Sequence, residues 1–165
     1  MEQTIRRIGN FTAFSGAEDV LSKWHPSCFT YHDVEFNCVE QFMMYAKAML
    51  FDDHRTGATI LATRSPKVQK QLGRDVSGFD EDIWLKSRES IVFVGCREKF
   101  RQNHDQGRVL SGTGSTILVE ASRSDKIWGA GIGQFDRRIT EPAKWPGLNL
   151  LGDTLMRVRT VLFPK

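Results

Sequence analysis

Apolar and polar positions along this chain fall into several distinct patterns, and each predicts a different element. Thr116 to Ala121 (TILVEA) alternates as a strand with one buried face does. Leu150 to Leu162 repeats its apolar residues at helical spacing and predicts an amphipathic helix. Asp80 to Asn103 reads as the longest helix, with Ile83, Trp84, Ile91, Val94 and Phe100 as its apolar positions. Ser65-Pro66 looks like an N-cap with proline in the first turn, opening a short helix that Gly73 is expected to close. Asp53 to Arg64 predicts another, weakened by Gly57. Residues 5–36 mix aromatic residues with turn formers (Gly9, Asn10, Gly16, His25-Pro26, His32-Asp33), which predicts short strands and loops. No linker, repeat or low-complexity tract interrupts the chain, so residues 1–165 read as a single domain. Its expected class is α+β: mostly helical, with a small β-sheet.

One segment breaks the amphipathic rule. Val39 to Phe51 (VEQFMMYAKAMLF) is apolar almost all the way round, so the helix from Glu40 to Phe51 is expected to be central. Its two ionisable residues, Glu40 and Lys47, are seven apart and share a face, with Met43 and Met44 between them. A charge in such a helix is costly unless it is paired or faces a polar cavity. Two readings stay open. In one, Glu40 and Lys47 form a structural ion pair or sit at the rim with their stems over apolar surface. In the other they line a cleft, where desolvation makes Lys47 a nucleophilic amine and Glu40 moves protons beside it.

Composition narrows the function classes. An apolar fraction of 40% and a charged fraction of 26% suit a soluble globular protein, and a net charge of +3 demands neither nucleic acid nor a membrane surface. Cys28, Cys38 and Cys96 make no CxxC pair, and His25, His32, His54 and His104 show no metal-ligand spacing. Reduced thiols, no metal and no cofactor are therefore expected. The N-terminal stretch MEQTIRRIGNFTAF lacks an apolar leader core, and no run is long enough to span a bilayer; a cytosolic or nuclear location is expected.

Other positions invite functional readings beside plainer ones. In Asp125-Lys126-Ile127-Trp128-Gly129-Ala130-Gly131-Ile132-Gly133, alternating glycines let backbone approach a ligand and Trp128 offers a stacking face; a tight loop around a core tryptophan explains the same residues. The third glycine is misplaced for a dinucleotide fingerprint. Trp84, with Arg88 one turn on, reads first as a core tryptophan. Lys67, Lys70 and Arg74 suit a solvated face, Met43-Met44 suits core filling, and Arg6-Arg7 alone is too short for a nucleic-acid arm.

Taken in order, Leu21-Ser22-Lys23-Trp24-His25-Pro26, Phe36-Asn37-Cys38-Val39-Glu40-Gln41 and Ala46-Lys47-Ala48 resemble the NADAR family. Further matches are Ser65-Pro66, Leu72-Gly73-Arg74, Trp84 with Arg88, Lys99-Phe100, Leu118-Val119-Glu120, Asp125 with Trp128-Gly129, and Asn149 with Leu151-Gly152. The likeness runs over roughly residues 9–159. It implies a NADAR-like fold and cleavage of an N-glycosidic bond at the anomeric carbon of a ribose phosphate. Glu40, Trp84, Asp125 and Trp128 match the family's functional positions, and Lys47 matches a lysine that forms a Schiff base with the opened ribose. Phosphate donors are expected among Lys23, Arg88, Asn149 and the amides around Gly131, with Trp24 beside Lys23 also in the substrate site. The chain departs from one common family form at Lys23-Trp24, where that form has Asn-Phe, and in Lys144-Trp145-Pro146-Gly147-Leu148 before Asn149.

The substrate this favours is guanine carrying ADP-ribose in nucleic acid, presented as single-stranded or base-flipped DNA. The same chemistry on riboflavin-biosynthesis intermediates, aminopyrimidine ribose phosphates, is the alternative. A silent ADP-ribose-binding module is a third reading, against which Glu40, Lys47 and Asp125 together argue.

Overall fold

The computed structural model describes residues 5–165, so the reading of the N-terminus, which begins at Met1, lies partly outside the described residues. Five strands and six α-helices follow one another as β1 (Arg6–Ile8), β2 (Phe11–Phe14), β3 (Phe29–Tyr31), β4 (Val34–Phe36), α1 (Val39–Leu50), α2 (His54–Leu61), α3 (Pro66–Arg74), α4 (Glu81–Gln102), α5 (His104–Gly112), β5 (Ile117–Glu120) and α6 (Leu150–Leu162). Two short 3₁₀ turns, Arg137–Thr140 and Pro142–Lys144, precede α6. The class is α+β and mostly helical, as the patterning predicts. No helix of the described residues is long and apolar enough to cross a membrane.

The described chain divides into two compact units. One is the continuous stretch Pro26–Asn103. Its centre is α1, which packs against α2, α3 and α4, and this explains why the helix carries no polar face. Each helix start is satisfied by a side chain: Cys38 Sγ accepts from Gln41 N, Asp53 from Thr56 N, Ser65 from Val68 N and Asp80 from Ile83 N. Burial pushes the Cys38 thiol up to about 11, which keeps it a neutral cap. The antiparallel β3–β4 hairpin turns at His32 and Asp33, both at positive φ, and lays Phe29 and Phe36 against Phe42 of α1. The stretch is closed at its ends. Gln102 bonds Thr30 N and O, each at 2.9 Å, and Asn103 Nδ2 donates to Cys28 O at 3.0 Å.

Gly73 does not end α3, which continues to Arg74. A Cβ on Gly73 would come within 1.9 Å of Met44 Sδ, so the missing side chain admits α1 rather than stopping a helix. Met43 and Met44 are both core residues.

The other unit comprises residues 5–25 and His104–Lys165. Its sheet has the order β1-β2-β5, with β1–β2 antiparallel and β2–β5 parallel in the register Phe11↔Ile117 to Phe14↔Glu120. α6 packs on β5, and Ala13, Val119, Ala121, Ala130, Ile132 and Ile139 form a core cluster. Arg159 is buried here, donating to Thr113 Oγ1 and Thr116 O; burial lowers its pKa from the ordinary value.

Candidate active site

The expected site residues fall into two groups, one in each unit. Glu40, Lys47, Trp84 and Arg88 lie in Pro26–Asn103, whereas Lys23, Trp24, Asp125, Trp128, Gly131 and Asn149 lie in the other unit.

On α1, Glu40 is 1% exposed and Lys47, two turns on, is half-buried. Lys47 takes no carboxylate partner among the described residues, so the Glu40–Lys47 ion pair is not formed. Lys47 Nζ donates instead to Gly73 O at 2.7 Å and stands 4.5 Å from the Phe79 ring centroid and 5.3 Å from that of Trp84. Burial lowers its pKa from the ordinary lysine value, and the charge of Arg74 adds to the effect. The Gly73 carbonyl and the two rings favour the ammonium, whereas burial and Arg74 favour the neutral amine, the form of a lysine that can act as a nucleophile. Trp84 is half-buried rather than a core residue. One turn further along α4, Arg88 Nε is buried with no hydrogen-bond partner among the described residues, a donor that an oxyanion would satisfy.

Phe79 is the contact that sequence reasoning missed. It precedes the Asp80 N-cap of α4, and Trp84 is the fourth helical residue; these are the two positions of a hydrophobic staple. The staple rule thus marks both rings that flank Lys47 Nζ.

In the other unit, Asp125 Oδ1 accepts from Ile127 N at 2.9 Å and Trp128 N at 2.8 Å, which leaves Oδ2 with no hydrogen bond among the described residues. This turn seats Trp128 at 7% exposure, with Lys23 Nζ 4.5 Å from its ring centroid. Trp24 is half-buried next in the chain. The glycine-rich loop is stitched to the segment before α6: Gly147, Leu148, Asn149, Leu150 and Leu151 donate to the carbonyls of Ala130, Lys126, Gly129, Ile127 and Trp128. Gly147 is required because any Cβ there would meet Gly129 O at 2.3 Å. Gly131 adopts φ +74°, and its amide is not taken up by this stitching.

Asn149 has a different place from the one expected. It is 1% exposed, sits in the left-handed region, and spends its side chain on β5: Nδ2 donates to Leu118 O at 3.0 Å and Oδ1 accepts from Glu120 N at 2.9 Å. Its amide thus clamps β5, a structural task that the sequence pattern does not announce. No group of three His, Cys, Asp or Glu among the described residues is arranged to hold a metal ion.

Comparison with known proteins places these residues in context. The model of the NADAR domain matches residues 9–163. An N-glycosidase of Acanthamoeba polyphaga mimivirus is 40% identical over 85% of this chain and 85% of its own. The protein irg-1 of Caenorhabditis elegans is 36% identical over 94% of this chain and 81% of its own. In fold, the solution structure of Escherichia coli YbiA superposes with a TM-score of 0.75, covering 98% of this chain and 87% of that one at 24% identity.

Proposed function

The chain belongs to the NADAR family, and from that premise we propose that it is an N-glycosidase, a hydrolase that separates a base from the anomeric carbon of a ribose phosphate. We propose further that residues 1–165 act as one catalytic domain, and that the substrate is ADP-ribosylated guanine in nucleic acid, from which the enzyme restores the base. The observation that carries the chemistry is Lys47: a half-buried amine with a lowered pKa, facing two aromatic rings and with no carboxylate partner among the described residues.

In this mechanism the neutral Nζ attacks C1 of the ribose, and the C–N bond pair leaves with the base, which takes up a proton. The ribose ring then opens: the C1–O4 bond pair goes to O4, which is protonated, as the nitrogen lone pair forms a C=N bond to C1. Water adds to this imine, and the open-chain sugar departs as Lys47 regains its amine. Glu40 is the proton carrier for O4 and water. Oδ2 of Asp125 stabilises positive charge developing at C1 or orients a ribose hydroxyl. Trp84 and Trp128 stack on the base or keep water from C1, Lys23, Arg88 and the amides near Gly131 are the donors for phosphate, and Trp24, next to Lys23 in the chain, is a further substrate contact.

The test is turnover of an oligonucleotide carrying ADP-ribosylated guanine by wild type and Lys47→Ala side by side. Borohydride added during turnover is expected to trap wild type, and not the variant, as a covalent adduct at residue 47. Full activity in Lys47→Ala overturns the imine route and leaves acid–base chemistry by Glu40 and Asp125. Turnover of an aminopyrimidine ribose phosphate but not of the oligonucleotide moves the substrate to the riboflavin intermediates. Calorimetric binding of ADP-ribose with no turnover of either makes the protein a binding module.

A further inference from the structure

Outside the candidate site, the unit of residues 5–25 and His104–Lys165 carries a feature that the N-glycosidase chemistry leaves unused. Phe135 is 79% exposed on a loop between the glycine-rich segment and the first 3₁₀ turn. The Arg6 guanidinium lies 4.7 Å from its ring centroid and donates to Gln134 O at 2.9 Å. Arg123 runs along the same loop: a Cβ added at Gly133 would come within 2.8 Å of Arg123 Nε. Arg137 is exposed two residues beyond the ring. Arg138 is bound to Asp136 at 2.7 Å, and with Arg123 nearby it holds that carboxyl down to about 2. Arg6, Arg123 and Arg137, by contrast, have no carboxylate at ion-pair distance among the described residues.

An apolar protein partner or a bilayer would be met by a cluster of aliphatic side chains around such a ring. Here the ring lies under the Arg6 guanidinium, and Arg123 runs along the same loop. The partner that fits is anionic at regular intervals and has flat faces free to stack, which describes a single nucleic-acid strand. A duplex fits poorly, because its bases are already stacked on one another. The surface also adjoins the candidate site in sequence: Arg123 lies two residues before Asp125, and Gly133 two residues after Gly131.

We propose that Phe135, with Arg6, Arg123 and Arg137, forms a binding surface for single-stranded nucleic acid flanking the modified base. The proposal deepens the nucleic-acid reading above and rests on it only for the biological role; strand binding itself needs no turnover.

The experiment is fluorescence anisotropy of a labelled, unmodified single-stranded oligodeoxynucleotide with the full chain over a range of salt concentrations. Phe135→Ala is expected to weaken binding about tenfold, and Phe135→Trp to preserve it. The double variant Arg123→Gln/Arg137→Gln is expected to flatten the slope of log K against log salt by about 1.4, at ~0.7 per phosphate contact on a single strand. Phe135→Ala is also expected to raise KM on a modified oligonucleotide about tenfold while leaving turnover of a modified mononucleoside unchanged. Unaltered strand affinity in Phe135→Ala overturns the proposal. So does an equal loss of binding to duplex DNA, polyglutamate or anionic phospholipid vesicles, which makes the surface a general anion site. If strand binding behaves as expected and no substrate is turned over, the proposed function fails and the strand surface stands.

Discussion

Lys23 and Lys47 each stand over a tryptophan ring, and their surroundings differ. Lys23 and Trp128 are 6% and 7% exposed, so cation and ring are enclosed together. Lys47 is half-buried, its second ring is Phe79 at 46% exposure, and a backbone carbonyl holds its ammonium in place. An enclosed pair is suited to holding shape and field; a partly open amine is suited to meeting an incoming electrophile. Burial at the second site is enough to depress the lysine pKa and still leaves an approach from solvent.

Breaking each pair separately is the sharpest test of this difference. Lys47→Ala is expected to cost about a thousandfold or more in kcat, with Lys47→Arg no better because a guanidinium stays protonated. Lys23→Ala is expected to cost roughly tenfold, mostly in KM, as the loss of one enclosed cation–π contact and of the proposed phosphate donor. Steady-state kinetics on both variants checks this, and equal losses in kcat would erase the distinction.

A smaller effect separates the scaffold around Lys47 from ordinary surface. Gly73→Ala forces a Cβ into Met44 and is expected to destabilise by about 1–3 kcal/mol, displacing the carbonyl that Lys47 uses. Gly112→Ala, where an added Cβ would point into open space and the backbone is helical, is expected to be neutral or to stabilise by up to about 1 kcal/mol. Urea unfolding of both variants measures the contrast.

The smallest effect is electrostatic. The reactive form of Lys47 is the neutral amine, so kcat/KM is expected to rise with pH and to level off below the ordinary lysine pKa. Arg74 destabilises the ammonium; Arg74→Gln removes that repulsion, raises the pKa and moves the rising limb to higher pH. A pH–rate profile that stays in place would assign the shift to burial alone.

Much of this arrangement is legible in the chain. The absence of a polar face marks α1 as central, and the caps at Ser65 and Asp80 fix where α3 and α4 begin. Misreadings arise where a tertiary contact overrides a local signal. Gly73 reads as a stop because glycine usually closes helices, but its role is to admit Met44. α5 contains Gly107 and few apolar residues, so it has little periodicity to betray it. Asn149 reads as a donor for a ligand, and only the neighbouring strand reveals that both ends of its amide are engaged. The parallel pairing of β2 with β5 joins residues about a hundred positions apart, which no local pattern encodes.

That pairing also bears on how the chain is made. A ribosome delivers β2 early and its partner β5 late, so the three-stranded sheet has to wait for most of the polypeptide. In the meantime Pro26–Asn103 emerges whole, and the Gln102–Thr30 and Asn103–Cys28 bonds draw its two ends together. Once that stretch has folded, the loop to be closed between β2 and β5 shrinks from about a hundred flexible residues to a few tens. Logarithmic loop entropy makes this a saving of about 1 kcal/mol. Synthesis order thereby assigns the lysine-bearing unit to be the template-free first step, and the glycine-rich unit to be completed last.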